Sequence, residues 1–224
     1  MMTLANRTGR DYRLLLGPLA AFTLAVAIAG LAKMLPNYSH VRQTVSEIGE
    51  VGSPARILFA VALSLVAICL FFFALALRDL SRRTSHSASA AYLVAAMALS
   101  VAGVGVFAHP HPLHNVFGLS ELVGYQAPLA LALAWRRTRA RSLVLTSWIA
   151  WGFTWAAIAL NLSSLDRHGS LWAYVAPHYG VAQRALFASW FGWCAVIGIL
   201  LFRRQSLVNS GASSNPSLQR TLPG

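Results

Sequence analysis

The chain has 224 residues, of which 57% are apolar and only 11% are charged, against roughly 25% charged residues in an ordinary soluble domain. These values exclude a soluble globular protein and indicate one that lies in a membrane. The formal net charge of +12 does not predict nucleic-acid binding, because no soluble domain is present to carry a basic surface.

Six apolar segments predict six transmembrane helices. A bilayer requires a helix of about 20 residues, and five segments come close to this length: 14–32, 57–77, 88–108, 143–165 and 185–202. The remaining segment, 122–135, reaches it only by beginning near Leu113 and including Glu121. Gln126 and Pro128 are expected to disturb this fourth helix. The predicted fold class is therefore all-α, a six-helix transmembrane bundle in one domain over residues 14–202.

The basic residues predict the orientation, since Lys and Arg in short loops stay on the cytoplasmic side. Thirteen of the 18 basic residues flank the segments on one side: Arg7, Arg10, Arg13, Arg78, Arg82, Arg83, Arg136, Arg137, Arg139, Arg141, Arg203, Arg204 and Arg220. We expect a multi-pass protein of the inner (plasma) membrane with both termini in the cytoplasm. Residues 1–13 are then a cytoplasmic segment, and the Ser-, Asn- and Gly-rich residues 203–224 a disordered cytoplasmic tail.

The predicted outer side carries most of the titratable groups. It holds six of the seven histidines and four of the six acidic residues. In its first connection, the sequence HVRQTVSE is compatible with a short helix that places His40, Thr44 and Glu47 on one face. An amphipathic helix at the membrane interface would have the same pattern, so a binding site and an interfacial helix both remain open.

The second outer connection, HPHPLH, places three histidines on a backbone stiffened by two prolines. Neutral imidazoles are ligands for zinc, copper or iron, and His109, His111 and His114 form a candidate metal site. The spacing matches no specific zinc motif. A polar link without a metal is the alternative.

A polar stripe is predicted along the fourth span. His114, Gly118, Glu121 and Tyr125 recur at intervals of three and four residues, so they fall near one line on a helix. Ionisable groups at membrane depth face the bundle or a wet cavity. Glu121 is therefore a candidate acid or base, or the partner of Arg184 in a clamp between two helices.

The segments YSHVRQTVSEIGEVGSPARILF (38–59) and GVGVFAHPHPLHNVFG (103–118) resemble bacterial six-span membrane proteins grouped as the "domain of unknown function 998" family. The resemblance covers about residues 14–202. Its most specific part is a Ser-Glu-x-Gly stretch, here Ser46, Glu47 and Gly49, with His114 opening the fourth span. The chain is more distantly similar to the eukaryotic Frag/DRAM/Sfk proteins, and this likeness points toward lipid. A Pro-x-Asp segment frequent before the histidine is replaced here by HPHP.

The combined prediction is a pocket open to the outer side that binds or acts on lipid headgroups. Lipid hydrolysis or group transfer, with or without a divalent metal such as zinc, is one interpretation. Binding or sensing of metal, haem or protons is a second, and a structural or transport protein is a third. The proposed roles are catalysis by Glu47, His114 and Glu121, and headgroup or substrate binding by His40, Ser46, Tyr125 and Arg184.

Overall fold

Helices make up most of the part of the chain that the structure describes. The computed structural model describes residues 10–138 and 140–213. The α-helices are α1 (Leu16–Leu31), α2 (Arg56–Arg83), α3 (Ser89–Val106), α4 (Pro112–Gly124), α5 (Ala127–Trp135), α6 (Arg141–Leu162), α7 (Ser170–Val175) and α8 (Tyr179–Ser213). Short 3₁₀ helices adjoin several of them, and one forms alone at Ser46–Gly49.

Within residues 10–138 and 140–213, six helical stretches are long and apolar enough to cross a membrane: Tyr12–Met34, Arg56–Arg83, Ser89–Val106, Pro112–Trp135, Arg141–Leu165 and Ser170–Gln205. The six-helix, all-α prediction is thereby confirmed. Many of their large apolar side chains remain exposed on the bundle surface, among them Phe22, Ile57, Leu99 and Phe153. A helix surrounded by lipid is expected to carry apolar side chains both on the side that faces the bundle and on the side that faces the lipid.

The fourth span consists of two helices. α4 ends at Gly124 and α5 begins at Ala127, with a turn at Tyr125 and Gln126 between them. This agrees with the predicted disturbance near Gln126 and Pro128. The indole nitrogen of Trp190 on α8 donates to the carbonyl of Gly124 at 3.1 Å. A backbone acceptor at the break is thus satisfied from a neighbouring helix, as membrane depth requires.

The spans pack in a closed ring. Spans consecutive in the sequence are neighbours in space, and α8 returns to pack against α1 as well as α6. Small residues allow close approach between α3 and α4, because a Cβ on Gly103 would collide with the ring of Phe117. Glycine commonly has this role where helices approach closely in membranes.

The end of the last helix differs from the sequence prediction. α8 continues to Ser213, so residues 203–213, which were expected in the disordered tail, form backbone helix. Residues 1–9 of the predicted N-terminal segment and residues 214–224 of the predicted tail lie outside the described residues.

Candidate functional site

The first connection, residues 35–55, does not contain the predicted helix over 40–47. Residues 40–42 form a turn, and helical structure is limited to Ser46–Gly49. The expectation that His40, Thr44 and Glu47 share a helix face was wrong. His40 is exposed and meets the ring of Tyr38 edge-on, with ring centroids 5.3 Å apart.

The hydrogen bonds of the Glu47 side chain stabilise this conformation. Its carboxylate accepts from the backbone N–H and the hydroxyl of Thr44, at 2.8 and 2.9 Å, and from the amide of Gln43 at 2.8 Å. Such local side-chain hydrogen bonds to the backbone compete with helix formation. Each of these contacts lies within the first connection, so the geometry makes Glu47 a group that orders this connection.

Arg184 attaches α8 to the first connection. Its Nη1 donates to the carbonyl oxygens of Gln43 at 2.9 Å and Gly180 at 2.8 Å, and its Nη2 donates to the Tyr38 hydroxyl at 2.6 Å. Burial raises the pKa of Tyr38 above its ordinary value of 10.0, although the hydrogen bond from Arg184 acts in the opposite direction. Arg184 forms no ion pair with Glu121 among the described residues, so the predicted clamp between these two residues was wrong.

The histidines of HPHPLH have separate local roles. His111 caps α4, because its Nδ1 accepts from the backbone N–H of Leu113 at 3.2 Å. His114 is 8% exposed, and its Nδ1 lies 2.8 Å from the carbonyl oxygen of Phe107. The rings of His109 and His114 are 5.8 Å apart between centroids, and His109 Nδ1 lies 3.8 Å from a carboxylate oxygen of Glu50.

These positions do not bring the three histidines together as a ligand set. Within residues 10–138 and 140–213, the structure has no group of three or more His, Cys, Asp or Glu side chains placed to hold a metal ion. The metal site remains a prediction made from the sequence, without a gathered set of donors to support it.

Glu121 lies in the interior of the bundle. It borders a cavity of about 40 Å³ between α1, α2, α3, α4, α8 and the first connection, which we call the Glu121 cavity. Ser46 supplies the other polar side chain of its lining, and the remaining lining residues are apolar: Leu24, Val45, Phe59, Leu63, Val101, Val104, Phe187 and Phe191. The hydroxyl of Tyr125 donates to Glu121 Oε2 at 2.8 Å. The predicted alignment of Glu121 with Tyr125 on the fourth span is confirmed by this contact.

The predicted catalytic residues are not in mutual contact. In the part of the chain that the structure describes, no hydrogen bond or ion pair joins any two of Glu47, His114 and Glu121. Instead, the structure brings Glu121 together with Tyr125 and Ser46, and Arg184 together with Tyr38. The predicted single cluster is therefore divided between the Glu121 cavity, the first connection and the start of α4.

Two glutamines contribute to this arrangement and were missed by the sequence analysis. The side-chain amide of Gln43 donates a hydrogen bond to the carboxylate of Glu47. The side-chain oxygen of Gln183 accepts from the backbone N–H of Val45 at 2.5 Å. The neighbouring pair Gln183–Arg184 at the start of an apolar span was the available signal, since polar groups there need partners.

The six spans define a multi-pass α-helical membrane protein, and the carboxyl group of Glu121 borders a mostly apolar cavity inside the bundle. The family described as "Protein of unknown function (DUF998)" matches residues 15–200. The chain belongs to this family. Comparison with curated proteins and with solved structures gave no match in either case.

Proposed function

We propose that this protein binds a membrane lipid and that the polar part of the lipid reaches Glu121. The observation that carries the proposal is the carboxyl group of Glu121 beside a cavity whose walls are otherwise apolar except for Ser46. An ionisable side chain inside a transmembrane bundle is costly and typically marks a functional site. Its described hydrogen-bond partner is the Tyr125 hydroxyl in the same membrane span, so holding two spans together does not account for it.

The surroundings of Glu121 favour an amphipathic ligand. A carboxyl group binds a hydroxyl, amide or ammonium group, whereas the aromatic and aliphatic walls suit a hydrocarbon chain. A volume of about 40 Å³ is enough for water. The polar group of the lipid occupies this volume, and side chains of the first connection near Ser46 move to admit it.

Binding fits the cavity better than catalysis. The lining described for the Glu121 cavity includes no histidine and no second carboxyl group, so a proton-transfer pair of the kind used in acid and base catalysis is not assembled there. Glu47 and His114 support the site from outside the cavity: Glu47 orders the first connection, and His114 fixes the start of α4 against Phe107.

Glu121→Gln tests the proposal. Gln preserves the shape of the side chain and can still accept from Tyr125, but it cannot carry a negative charge or donate as a carboxylic acid does. We expect the variant to keep its thermal unfolding temperature in detergent and to retain roughly tenfold less lipid. The measurement is mass spectrometry of lipids that remain bound after purification and delipidating washes.

The matched control is Glu50→Gln. Glu50 lies in the first connection and does not line the Glu121 cavity, its side chain is 42% exposed, and it faces His109. This variant should retain lipid like the unchanged protein. Equal retention by the Glu121 and Glu50 variants, or no retention by the unchanged protein, would contradict the proposed function.

A further inference from the structure

A groove runs along the outside of the bundle between α1 and α8. Its volume is about 380 Å³, within the range of roughly 300–1,000 Å³ found for ligand sites. Small side chains form its floor and edges, with Ala21 and Ala25 on α1 and Ala188 and Gly192 on α8. Ala25 and Ala188 are exposed and lie within membrane-spanning stretches, so the groove is open to the hydrocarbon of the bilayer.

The groove is apolar apart from Arg184. Arg184 lies near the start of α8, and Gly192 follows eight residues later, about 12 Å along the helix at 1.5 Å per residue. The hydrogen-bond acceptors of Arg184 are two carbonyl oxygens and one hydroxyl, all uncharged. No described carboxylate lies within ion-pair distance of its guanidinium, and its Nε is buried without a hydrogen-bond partner.

The positive charge at the end of this apolar groove therefore lacks a counter-ion in the described chain. A guanidinium binds a phosphate more strongly than it binds neutral oxygens. An acyl chain in the groove would contact apolar side chains of both helices along their length. The groove therefore offers a guanidinium to the phosphate of a phospholipid and apolar side chains to its acyl chain. The two follow one another along α8 in the same order as in the lipid.

The groove also adjoins the Glu121 cavity. Leu24, Phe187 and Phe191 line both spaces. A movement of these three side chains therefore opens a lateral path from the bilayer to Glu121. Phe187 is only partly buried, which leaves it room for such a movement.

We propose that the groove between α1 and α8 takes up an anionic phospholipid from the bilayer, with its phosphate at Arg184 and one acyl chain along Ala188 and Gly192. This inference rests on the proposed function, since it gives the class of lipid and the path by which it reaches Glu121.

Gly192→Leu is the first variant that tests this proposal. A Cβ on Gly192 meets no atom within 4 Å, so leucine fills the groove without displacing a packed neighbour. Gly152→Leu on α6 is the matched control, because a Cβ there also meets nothing within 4 Å and Gly152 is exposed. Both proteins are placed in nanodiscs with equal amounts of phosphatidylglycerol and phosphatidylcholine, extracted, and analysed for bound lipid.

The unchanged protein and the Gly152 variant should retain phosphatidylglycerol about fivefold over phosphatidylcholine, the preference expected for one basic residue near an anionic headgroup. Gly192→Leu should lose most of the retained lipid at an unchanged unfolding temperature. Arg184→Gln, where it folds, should lose the preference for phosphatidylglycerol while it still retains lipid.

The outcomes separate this proposal from the proposed function. Lipid retention that depends on Glu121 but not on Gly192 would overturn the groove and leave the proposed function in place. Retention that depends on Gly192 but not on Glu121 would support the groove and contradict the role of Glu121. Equal retention of both lipids would overturn the anionic preference. A change from dimer to monomer in Gly192→Leu, with bound lipid unaffected, would make the groove a surface for a second copy of this chain and overturn the proposal.

Discussion

Gly180 shows how a single position ties the last span to the first connection. A Cβ at this residue would collide with the backbone carbonyl oxygens of Gln43 and His40 and would crowd the guanidinium of Arg184. The backbone N–H of Val181 also donates to the carbonyl of Val41 at 3.3 Å. The absence of a side chain at residue 180 therefore permits the contact through which Arg184 reaches its acceptors.

Gly180→Ala should destabilise the protein by about 1–3 kcal/mol, because the added methyl group has no free space and its neighbours are backbone atoms. Thermal unfolding in detergent measures the effect. Gly192→Ala, at a position with open space, should be neutral or slightly stabilising, since alanine is the better helix former. Equal stability of the two variants would mean that the contact at Gly180 is absent in the membrane-embedded protein.

His40 offers a prediction for the pH dependence at this contact. Although His40 is exposed, the partial loss of water around its ring lowers its pKa below the ordinary value of 6.5, and the positive charge of Arg184 lowers it further. Between the folded and unfolded pKa values the unfolded chain binds more protons, so the contribution of His40 to stability is complete above about pH 6.5 and declines as the pH falls through that interval. An NMR titration should find a pKa below 6.5 for His40 and a higher pKa in Arg184→Gln. A value unchanged by this substitution would contradict the proximity of the two groups.

Among the elements, α3 and α4 approach closely at one pair of residues, Gly103 and Phe117. Gly103 accommodates the ring of Phe117, which also stacks on Phe107 with ring centroids 5.6 Å apart. Gly103→Ala should therefore lower the free energy of unfolding by about 1–3 kcal/mol. Combining it with Phe117→Leu should cost less than the sum of the two single changes, because the smaller side chain leaves room for the new methyl group. Additive effects in a double-mutant cycle would indicate that the two residues are not in contact.

The elements also show what the sequence could predict. Long apolar runs and the requirement of about 20 residues per span were sufficient for five of the six spans, whereas the fourth reached this length only by beginning near Leu113 and including Glu121. The break in the fourth span was predictable because Gln126 and Pro128 interrupt an apolar segment. In the structure Gln126 also accepts from the indole N–H groups of Trp151 and Trp155, each at 3.4 Å. These long-range partners on α6 could not be inferred from local pattern.

The candidate site was harder to predict, because local sequence pattern does not reveal which side chains become partners. The spacing of His40, Thr44 and Glu47 suits a helix, yet the hydrogen bonds of Glu47 to Thr44 and Gln43 stabilise a turn instead. Periodicity does not reveal which of these local arrangements is the more stable. Periodicity also gives no information on the distance between residues in separate spans. The pairing of Glu121 with Arg184 could therefore be suggested from the sequence but not tested. The contact of Glu121 with Tyr125 could be predicted, because the two residues are four positions apart in one span.

For the whole molecule, the distribution of charge predicts the orientation in the membrane. A C-terminal fusion to alkaline phosphatase should be inactive, and one to green fluorescent protein should be fluorescent, because basic residues flank the ends of the spans on the side of the termini. A phosphatase fused after Gly52, in the first connection, should be active. The opposite pattern of activities would reverse the predicted orientation and place the first connection in the cytoplasm.

The closed ring of spans has a consequence for the order in which the protein matures. α1 leaves the ribosome first, but one of its packing partners, α8, is made last. Until then the carbonyl of Gln43 and the hydroxyl of Tyr38 lack the guanidinium that binds them in the finished chain. We expect the first connection to stay sensitive to proteases throughout synthesis and to become resistant when the last span inserts. A chain that stops before residue 179 should therefore be recognised and degraded by membrane quality control, even though its first five spans are complete.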